Sequence, residues 1–216
     1  MKVEVWSDVV CPWCYIGKRR LEGALAGFEH AAEVEVEYRS FELNPAAAAS
    51  EDGPLDQRLA DKYGVSLDQA RSMNSRVTDA AAAEGLYYRL DLARPGNTFD
   101  AHRLIHLAGT VGLRSAMKER LMAAYFSEGR PVADRETLVE LAAEVGLEPT
   151  RAGVVLNTDE FADAVRADER EAAELGINGV PFFVLDRRYG VSGAQPSELL
   201  LQALQKAWAE RVSPAL

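Results

Sequence analysis

The only two cysteines of this 216-residue chain form a Cys-Pro-Trp-Cys motif at residues 11–14. The apolar segment 3–10 before the motif predicts a short strand, and the segment after it predicts a helix. A sulfur at the N-terminus of a helix ionises more readily, because unpaired N–H groups and the macrodipole favour negative charge there. The motif therefore predicts a strand, a loop and a helix that carry a redox-active dithiol.

The positions within the motif suggest separate roles. Cys11 is expected to be the exposed, attacking thiol, with a pKa below that of a free thiol. Cys14 lies one turn further along the helix and is expected to be the sheltered thiol that resolves a mixed disulfide. Pro12 suits the first helical turn because it lacks an N–H that would have no partner there. Pro12 and Trp13 are expected to contact the substrate.

A structural disulfide, a zinc site and a chance pair of inert thiols are the other interpretations of the motif. A disulfide that closes so short a loop stabilises a fold rather little. Zinc needs further ligands, and the candidates are His102 and His106, whose distance along the chain from Cys14 does not fit a zinc finger. No metal is therefore expected.

Composition limits the partners. The chain is 48% hydrophobic and 27% charged, which is typical of a globular domain with a substantial core. Its formal net charge of −10 argues against nucleic acid or a membrane surface as partner, because both bind basic patches. The expected partners are thiols and disulfides of proteins or small molecules, and a homodimer is possible. The first strand begins almost directly after Met1, which leaves no room for a secretory signal and predicts a cytoplasmic location.

The hydrophobic patterns divide the chain into three parts. Residues 1–52 predict strand, helix and strand, and residues 53–157 predict successive helices. Among these helices are 66–84, one that starts at 97 or 98 and ends at 109 or 112, 113–126 and 135–145. Ser66 and Gln69 form a capping-box pattern, and Asp134 is a predicted N-cap. Residues 158–216 predict a helix over 160–175, two antiparallel strands at 180–185 and 189–194, and a final helix. The order predicts an α/β fold, βαβ…ββα, interrupted by a large all-helical insertion domain.

The CxxC motif after a first strand, together with Val180-Pro181 at the start of a later strand, resembles the thioredoxin pattern. The helical insertion resembles the DsbA family of thioredoxin-fold oxidoreductases. Four segments, 7–17, 40–45, 97–103 and 176–183, resemble its cytoplasmic FrnE-like branch. The resemblance implies a thiol-disulfide oxidoreductase with Cys11 as nucleophile, Cys14 as resolving thiol and Pro181 in a cis peptide bond against the dithiol. It implies no cofactor beyond the Cys11–Cys14 disulfide, with glutathione as a possible co-substrate.

The cis bond would leave the backbone of Val180 able to pair with an extended substrate. Two positions depart from the family pattern. Trp13 stands where strongly oxidising members have histidine, which implies a more reducing potential. Val5 stands where a buried carboxylate is usual, so proton transfer to Cys14 needs another group. Asp8 is a candidate for that group, although it is expected to be a solvated loop residue.

Four further residues resemble positions near the site in these branches: Asn44, Asn97, His102 and Gln195. Each has an ordinary alternative, as a turn residue, an N-cap, a helix-face histidine and a loop amide respectively. The helical insertion is expected to lie over the motif as a lid and to set substrate choice.

Two other functions remain open. Glutathione-dependent isomerases and kappa-type transferases have the same fold and a similar segment at 40–45, but they use serine at the position of Cys11. A silent binding or chaperone module would need neither thiol. The presence of both cysteines favours redox chemistry of the protein's own sulfurs.

Overall fold

The computed structural model describes residues 1–49 and 53–211. Its sheet has the strand order β2-β1-β3-β4. The strands are β1 (Lys2–Ser7), β2 (Glu35–Ser40), β3 (Phe182–Leu185) and β4 (Tyr189–Ser192). β1 runs parallel to β2 and antiparallel to β3, and β3 and β4 form an antiparallel pair. With α1 (Pro12–Ala26) after β1 and α9 (Ser197–Ala209) after β4, the βαβ…ββα order of a thioredoxin fold is confirmed.

β1 lies inside the sheet and is covered on both faces, because its side chains alternate between two apolar clusters. Val3 and Val5 pack against residues of α1 and α9, including Leu21 and Leu204. Trp6 points to the opposite face, where it packs against Ala172 and its indole N–H donates to the carbonyl of Asp168 at 2.9 Å. The C-terminal end of β1, which leads into the dithiol loop, is therefore packed on both faces of the sheet.

Seven helices lie between β2 and β3 in the described residues. They are α2 (Leu55–Tyr63), α3 (Leu67–Ala83), α4 (Phe99–Gly109), α5 (Arg114–Phe126), α6 (Arg135–Glu144), α7 (Pro149–Asn157) and α8 (Ala162–Glu174). The capping box is present: the Ser66 hydroxyl accepts from the Gln69 N–H at 3.2 Å and the Gln69 side chain accepts from the Ser66 N–H at 2.9 Å. The carboxylate of Asp134 caps α6 as predicted.

The sequence patterns missed one helix and placed the start of another too early. The sequence patterns did not predict α7, which is capped by Glu148, a less usual N-cap, with Pro149 at its first position. The predicted start of α8 at residue 160 is also too early. Phe161 adopts a left-handed backbone conformation, with φ of 63°, and the helix begins only after it.

One buried core joins the dithiol region to the helices. Cys11, Cys14 and Ile16 of the dithiol segment belong to the same apolar cluster as Leu104 of α4 and Leu121 of α5. The division into residues 1–52, 53–157 and 158–216 stays a prediction, and its first boundary, at residue 52, lies outside the described residues. Within the described part of the chain, no helix is both long enough and apolar enough to cross a membrane.

Candidate active site around Cys11 and Cys14

Cys11 is the N-cap of α1, and the N–H of Cys14 donates to its carbonyl oxygen at 3.0 Å. Both cysteines are free thiols. The expectation that Cys11 is exposed was wrong: its exposed fraction is 4%, against 2% for Cys14. The two thiols differ in another way, because Cys11 borders a large groove and Cys14 does not. Cys11 is therefore the sulfur that a bound molecule can reach.

Val180 and Pro181 lie beside the dithiol. The peptide bond between them is cis, as the resemblance implied. The Cys11 thiol donates to the carbonyl oxygen of Val180 with a sulfur–oxygen distance of 3.5 Å. Pro181 packs against Gly17 of α1 so closely that a Cβ atom at Gly17 would lie 2.9 Å from the proline Cγ. Because Gly17 has no side chain, the segment that contains Pro181 can approach the helix that carries the dithiol.

The groove has a volume of about 820 Å³. It is lined both by residues of the thioredoxin-like part and by residues of the helical insertion. Trp13, 41% exposed, stands on the dithiol side, and Leu43 and Val180 extend that wall. α2 and α3 supply the opposite wall, with side chains that include Leu55, Leu59, Tyr63, Met73 and Val77. The helical insertion therefore faces Cys11, as predicted. Its role in substrate choice stays a prediction.

Positive charge is concentrated on the helical wall of the groove. Arg58 and Lys62 of α2 and Arg76 of α3 line it. Among the described lining residues the only carboxylate is Asp8, and its side chain is almost fully buried. In a chain with a formal net charge of −10, this arrangement makes the groove an unusually favourable place for an anion.

Asp8 is not a solvated loop residue, contrary to expectation, and its exposed fraction is 1%. Its carboxylate accepts from the N–H groups of Val9 at 2.7 Å and Leu43 at 2.8 Å, and from His102 Nε2 at 3.3 Å. Burial alone would raise the pKa of Asp8, but the bonds from His102 and Leu43 and the charge of Lys118 together hold it below its ordinary value. These donors explain why the carboxylate is held inside rather than in water.

His102 is completely buried on α4, and burial lowers its pKa, so the imidazole is neutral and donates from Nε2 to Asp8. Its Nδ1 atom has no hydrogen-bond partner among the described residues. His106 lies one turn further along α4 and contacts Ser40 and Asp168 instead, each at 3.1 Å. In the described part of the chain, no three His, Cys, Asp or Glu side chains are grouped so as to hold a metal ion.

Lys118 on α5 is a site residue that sequence reasoning missed. Its side chain is fully buried, and Nζ donates to the carbonyl oxygen of Ser7, at the end of β1, at 2.9 Å. Burial lowers the pKa of Lys118 to about 8, although the nearby Cys14 and Asp8 act to raise it. The available signal was its position on a helix stripe shared with Leu121 and Met122, where a lysine interrupts an apolar face.

Burial also acts on the resolving thiol. The pKa of Cys14 is raised well above its ordinary value by burial, by a hydrogen bond with Cys11 and by the negative charge that Cys11 can carry. The charge of Lys118 and the backbone N–H of Asp8 act in the opposite direction. Cys14 is thus held as a protonated thiol that needs help to ionise.

The remaining predicted residues are placed as follows. Asn44 lines the groove, and its side-chain oxygen accepts from the Ala46 N–H at 3.2 Å, which is a turn contact. Asn97 accepts from the Phe99 N–H at 2.8 Å at the start of α4, and Gln195 donates to the Ser192 carbonyl at 2.8 Å. Neither Asn97 nor Gln195 is among the described residues that line the groove.

Pro12 does line the groove. The hydroxyl of Tyr88, a residue that sequence reasoning also missed, donates to the Pro12 carbonyl at 2.7 Å.

A CxxC dithiol at the start of the first helix of a thioredoxin fold, with a helical segment inserted over it, defines the DsbA-like class. The sequence profile of the DSBA-like thioredoxin domain matches residues 2–205, and the chain belongs to that family. Its assignment to the FrnE-like branch stays a prediction.

The chain is also similar to three individual proteins. A probable DsbA oxidoreductase from Streptomyces coelicolor, known from a crystal structure, is 51% identical with a TM-score of 0.96, and the match covers 100% of this chain and 93% of that one. The uncharacterized protein YwbO of Bacillus subtilis (strain 168) is 28% identical over 195 residues, which are 85% of this chain and 86% of YwbO. DsbM, a cytosolic disulfide reductase from Pseudomonas aeruginosa solved with GSH, is 21% identical with a TM-score of 0.65 over 97% of this chain and 96% of its own. At that identity the likeness to DsbM shows the fold alone.

Proposed function

We propose that this protein is a thiol-disulfide oxidoreductase in which Cys11 attacks the substrate and Cys14 resolves the mixed disulfide. The observation that carries the proposal is the unequal access of the two sulfurs: Cys11 borders the groove and Cys14 lies behind it. A substrate disulfide in the groove meets Cys11 first, and Cys14 is close enough to displace it afterwards.

The electrons and bonds balance over two exchanges. The Cys11 thiolate attacks one sulfur of the substrate disulfide, which breaks the substrate S–S bond and releases its first half as a thiolate. The Cys14 sulfur, after losing its proton, then attacks Cys11 Sγ and releases the second half. The substrate gains two electrons and the protein is left with a Cys11–Cys14 disulfide. The reverse sequence oxidises a dithiol substrate.

A trapping experiment tests this assignment. In Cys14→Ser, mixed disulfides at Cys11 should accumulate, because the resolving sulfur is absent, whereas Cys11→Ser should form none and should show no exchange activity. Equal activity of a variant that lacks both thiols would refute the proposal. Mass spectrometry of the trapped species would also identify the substrates, whether proteins or small molecules.

The groove supports a substrate class that carries negative charge. Arg58, Lys62 and Arg76 line the wall opposite Trp13, whose half-exposed ring offers an apolar surface. A small peptide disulfide with free carboxylates, such as oxidised glutathione, has this combination of charge and size. We propose that glutathione acts as a co-substrate that reduces the Cys11–Cys14 disulfide. We also propose that the reaction takes place in the cytoplasm.

A second function, a glutathione-dependent isomerase or kappa-type transferase, is supported by the same cationic wall of the groove, which consists of Arg58, Lys62 and Arg76. In that case turnover of a small aromatic or electrophilic substrate would require added glutathione and would survive Cys14→Ala. A disulfide oxidoreductase would instead lose its dithiol exchange in that variant.

A further inference from the structure

The helical insertion makes a direct hydrogen bond to the dithiol motif through Tyr88. This residue follows α3, is buried, and donates its hydroxyl proton to the Pro12 carbonyl oxygen at 2.7 Å. Its ring stacks on Phe126, the last residue of α5, with 4.6 Å between the ring centroids and 21° between the ring planes. The N–H of the next residue, Arg89, donates to the Phe126 carbonyl at 2.6 Å. Two contacts with α5 therefore hold the phenol against the motif.

The Pro12 carbonyl does not need this hydrogen bond to be satisfied. Pro12 is the first residue of α1, and the carbonyl of a helical residue accepts from the N–H four positions later, which here is that of Ile16. The Tyr88 hydroxyl is thus a second donor on an oxygen that already has its helical partner. Tyr88 is also not among the described residues that line the groove. Its hydroxyl therefore acts on the motif and not on a bound molecule.

The Pro12 carbonyl and the Trp13 N–H belong to one peptide unit and point in opposite directions. A hydrogen bond to the carbonyl oxygen polarises the unit, which makes its N–H a stronger donor. In the described part of the chain, the Trp13 N–H has no hydrogen-bond partner. Tyr88 therefore strengthens a donor in the first turn of α1 that is still available.

Cys11 is placed to use that donor when it ionises. It is the N-cap of α1, with an extended backbone at φ of −88° and ψ of 113°. An N-cap side chain with this conformation accepts from the N–H of the second or third helical residue, and Trp13 is the second. The protonated thiol instead donates to the Val180 carbonyl. The thiolate can only accept, so the N–H groups of the first turn become its partners.

The Tyr88 hydroxyl stays a donor throughout this change. Burial raises its pKa, and the charge of Cys11 raises it further, so the phenol remains protonated while the thiol titrates. Other charged or titratable groups also surround the dithiol. They are Cys14, Tyr15 and Arg19 on α1, Asp8 after β1, Lys118 on α5, and Arg58, Lys62 and Arg76 across the groove.

We propose that Tyr88 is a positioning residue that favours the Cys11 thiolate by polarising the Pro12–Trp13 peptide unit. The inference rests on the proposed oxidoreductase function and deepens it, because Cys11 attacks a disulfide as the thiolate. The helical insertion then takes part in the chemistry through one hydroxyl, in addition to forming a wall of the groove.

Tyr88→Phe tests the proposal because it removes the hydroxyl and keeps the ring. The rate of Cys11 alkylation by iodoacetamide is measured against pH in a Cys14→Ser background, where a single thiol reacts. We expect the pH midpoint of this rate to rise by roughly half a unit, which is about threefold in the ionisation constant. Below the midpoint the rate should fall about threefold, and on the alkaline plateau it should stay within about twofold. A purely structural loss would lower the rate at every pH.

Two other tyrosines provide controls. Tyr15→Phe removes a hydroxyl from the same aromatic cluster, but this hydroxyl donates to Glu119 at 2.5 Å and not to the motif. Tyr87→Phe removes an exposed hydroxyl next to Tyr88. Both variants should leave the midpoint within about 0.2 unit of that of the Cys14→Ser parent.

The outcomes separate the two proposals. An unchanged midpoint in Tyr88→Phe, or an equal shift in Tyr15→Phe, would refute the role of Tyr88. The titration needs no substrate, whereas failure of the oxidoreductase proposal would appear as a wild-type protein that exchanges no disulfides. If Tyr88→Phe does not fold, NMR of the wild-type chain decides. The Trp13 amide proton and the Tyr88 hydroxyl proton should both shift downfield as the thiolate forms, because polarisation along the chain of bonds is mutual. Resonances that stay in place over that pH range would overturn the assignment.

Discussion

The thiol of Cys11 donates a hydrogen bond to the carbonyl oxygen of Val180, 3.5 Å away. When Cys11 ionises, this donor is lost and the carbonyl oxygen is left without it. The oxygen then becomes available to an N–H group of an extended substrate beside the sulfur, which is how a peptide adds to a strand edge. In the proposed mechanism, formation of the thiolate would therefore also free this backbone acceptor for the substrate.

The two thiols should differ in reactivity although both are buried. We expect iodoacetamide to modify Cys11 at least about tenfold faster than Cys14 at neutral pH, because burial raises the pKa of Cys14 and Cys14 does not border the groove. Peptide mapping after partial alkylation of the reduced protein measures both rates. Equal modification of the two cysteines would contradict the assignment of roles.

The cationic wall should select charged disulfides. Arg76→Gln should lower the rate constant for oxidised glutathione by about three- to tenfold, with little effect on the neutral hydroxyethyl disulfide, because attraction of an anion depends on charge close to its path. Arg71→Gln is the matched control, since Arg71 lies on the same helix and makes ion pairs with Asp56 and Asp68 outside the groove. The difference should shrink at high salt. An equal loss for both disulfides would argue against charge selection.

Gly17 should resist substitution. Gly17→Ala places a methyl group 2.9 Å from Pro181 Cγ, so we expect a loss of about 1–3 kcal/mol in the free energy of unfolding and slower reaction at Cys11. Gly153→Ala is the control, because Gly153 lies within α7 with open space around its Cβ position, and alanine there should stabilise the helix by up to about 1 kcal/mol. Urea unfolding of both variants measures the effect. A Gly17→Ala protein as stable as wild type would show that the contact has room.

Glu42 should make stability depend on pH. Burial, together with repulsion from Glu169, raises the pKa of Glu42 to about 7 despite the ion pair with Arg166. A carboxyl with a raised pKa binds its proton more strongly in the folded state, so its contribution is present below about pH 4.3 and is lost as pH rises toward 7. The free energy of unfolding of Glu42→Gln, relative to wild type, should therefore increase when the pH is raised from 5 to 8. We expect an increase on the order of 1 kcal/mol after allowance for solvent screening.

Chemical unfolding at the two pH values tests this expectation, with Glu29→Gln as an exposed control that should show no such change. The same stability difference at pH 5 and pH 8 would contradict the raised pKa of Glu42.

The sequence predicted those features that depend on neighbouring residues. The strand before the dithiol, the caps at Ser66 and Asp134 and the antiparallel pair β3–β4 follow from local patterns, and the structure confirms them. The burial of Cys11 could not be predicted in the same way, because its cover comes from residue 180 and from helices that begin some forty residues after the motif.

Asp8 was misjudged, and Lys118 was missed, for a related reason. The carboxylate of Asp8 is buried because Leu43, in the loop after β2, and His102, on α4, supply donors at the same point. Lys118 reaches Ser7 across 111 positions of sequence. Such partners become neighbours only when the tertiary structure forms, so no local pattern contains them.

The shared core has a consequence for how proteins of this architecture can diverge. Residues of α3 to α7 pack into the same apolar cluster as the two cysteines, whereas no residue of α2 belongs to it. Grafting the whole helical region from a relative would replace the interior around the sulfurs together with the groove wall. Exchange of α2 alone would alter the groove surface, including Arg58 and Lys62, and leave that interior intact. New specificities should therefore arise first in α2, which makes it the segment to randomise when the protein is redirected to another disulfide.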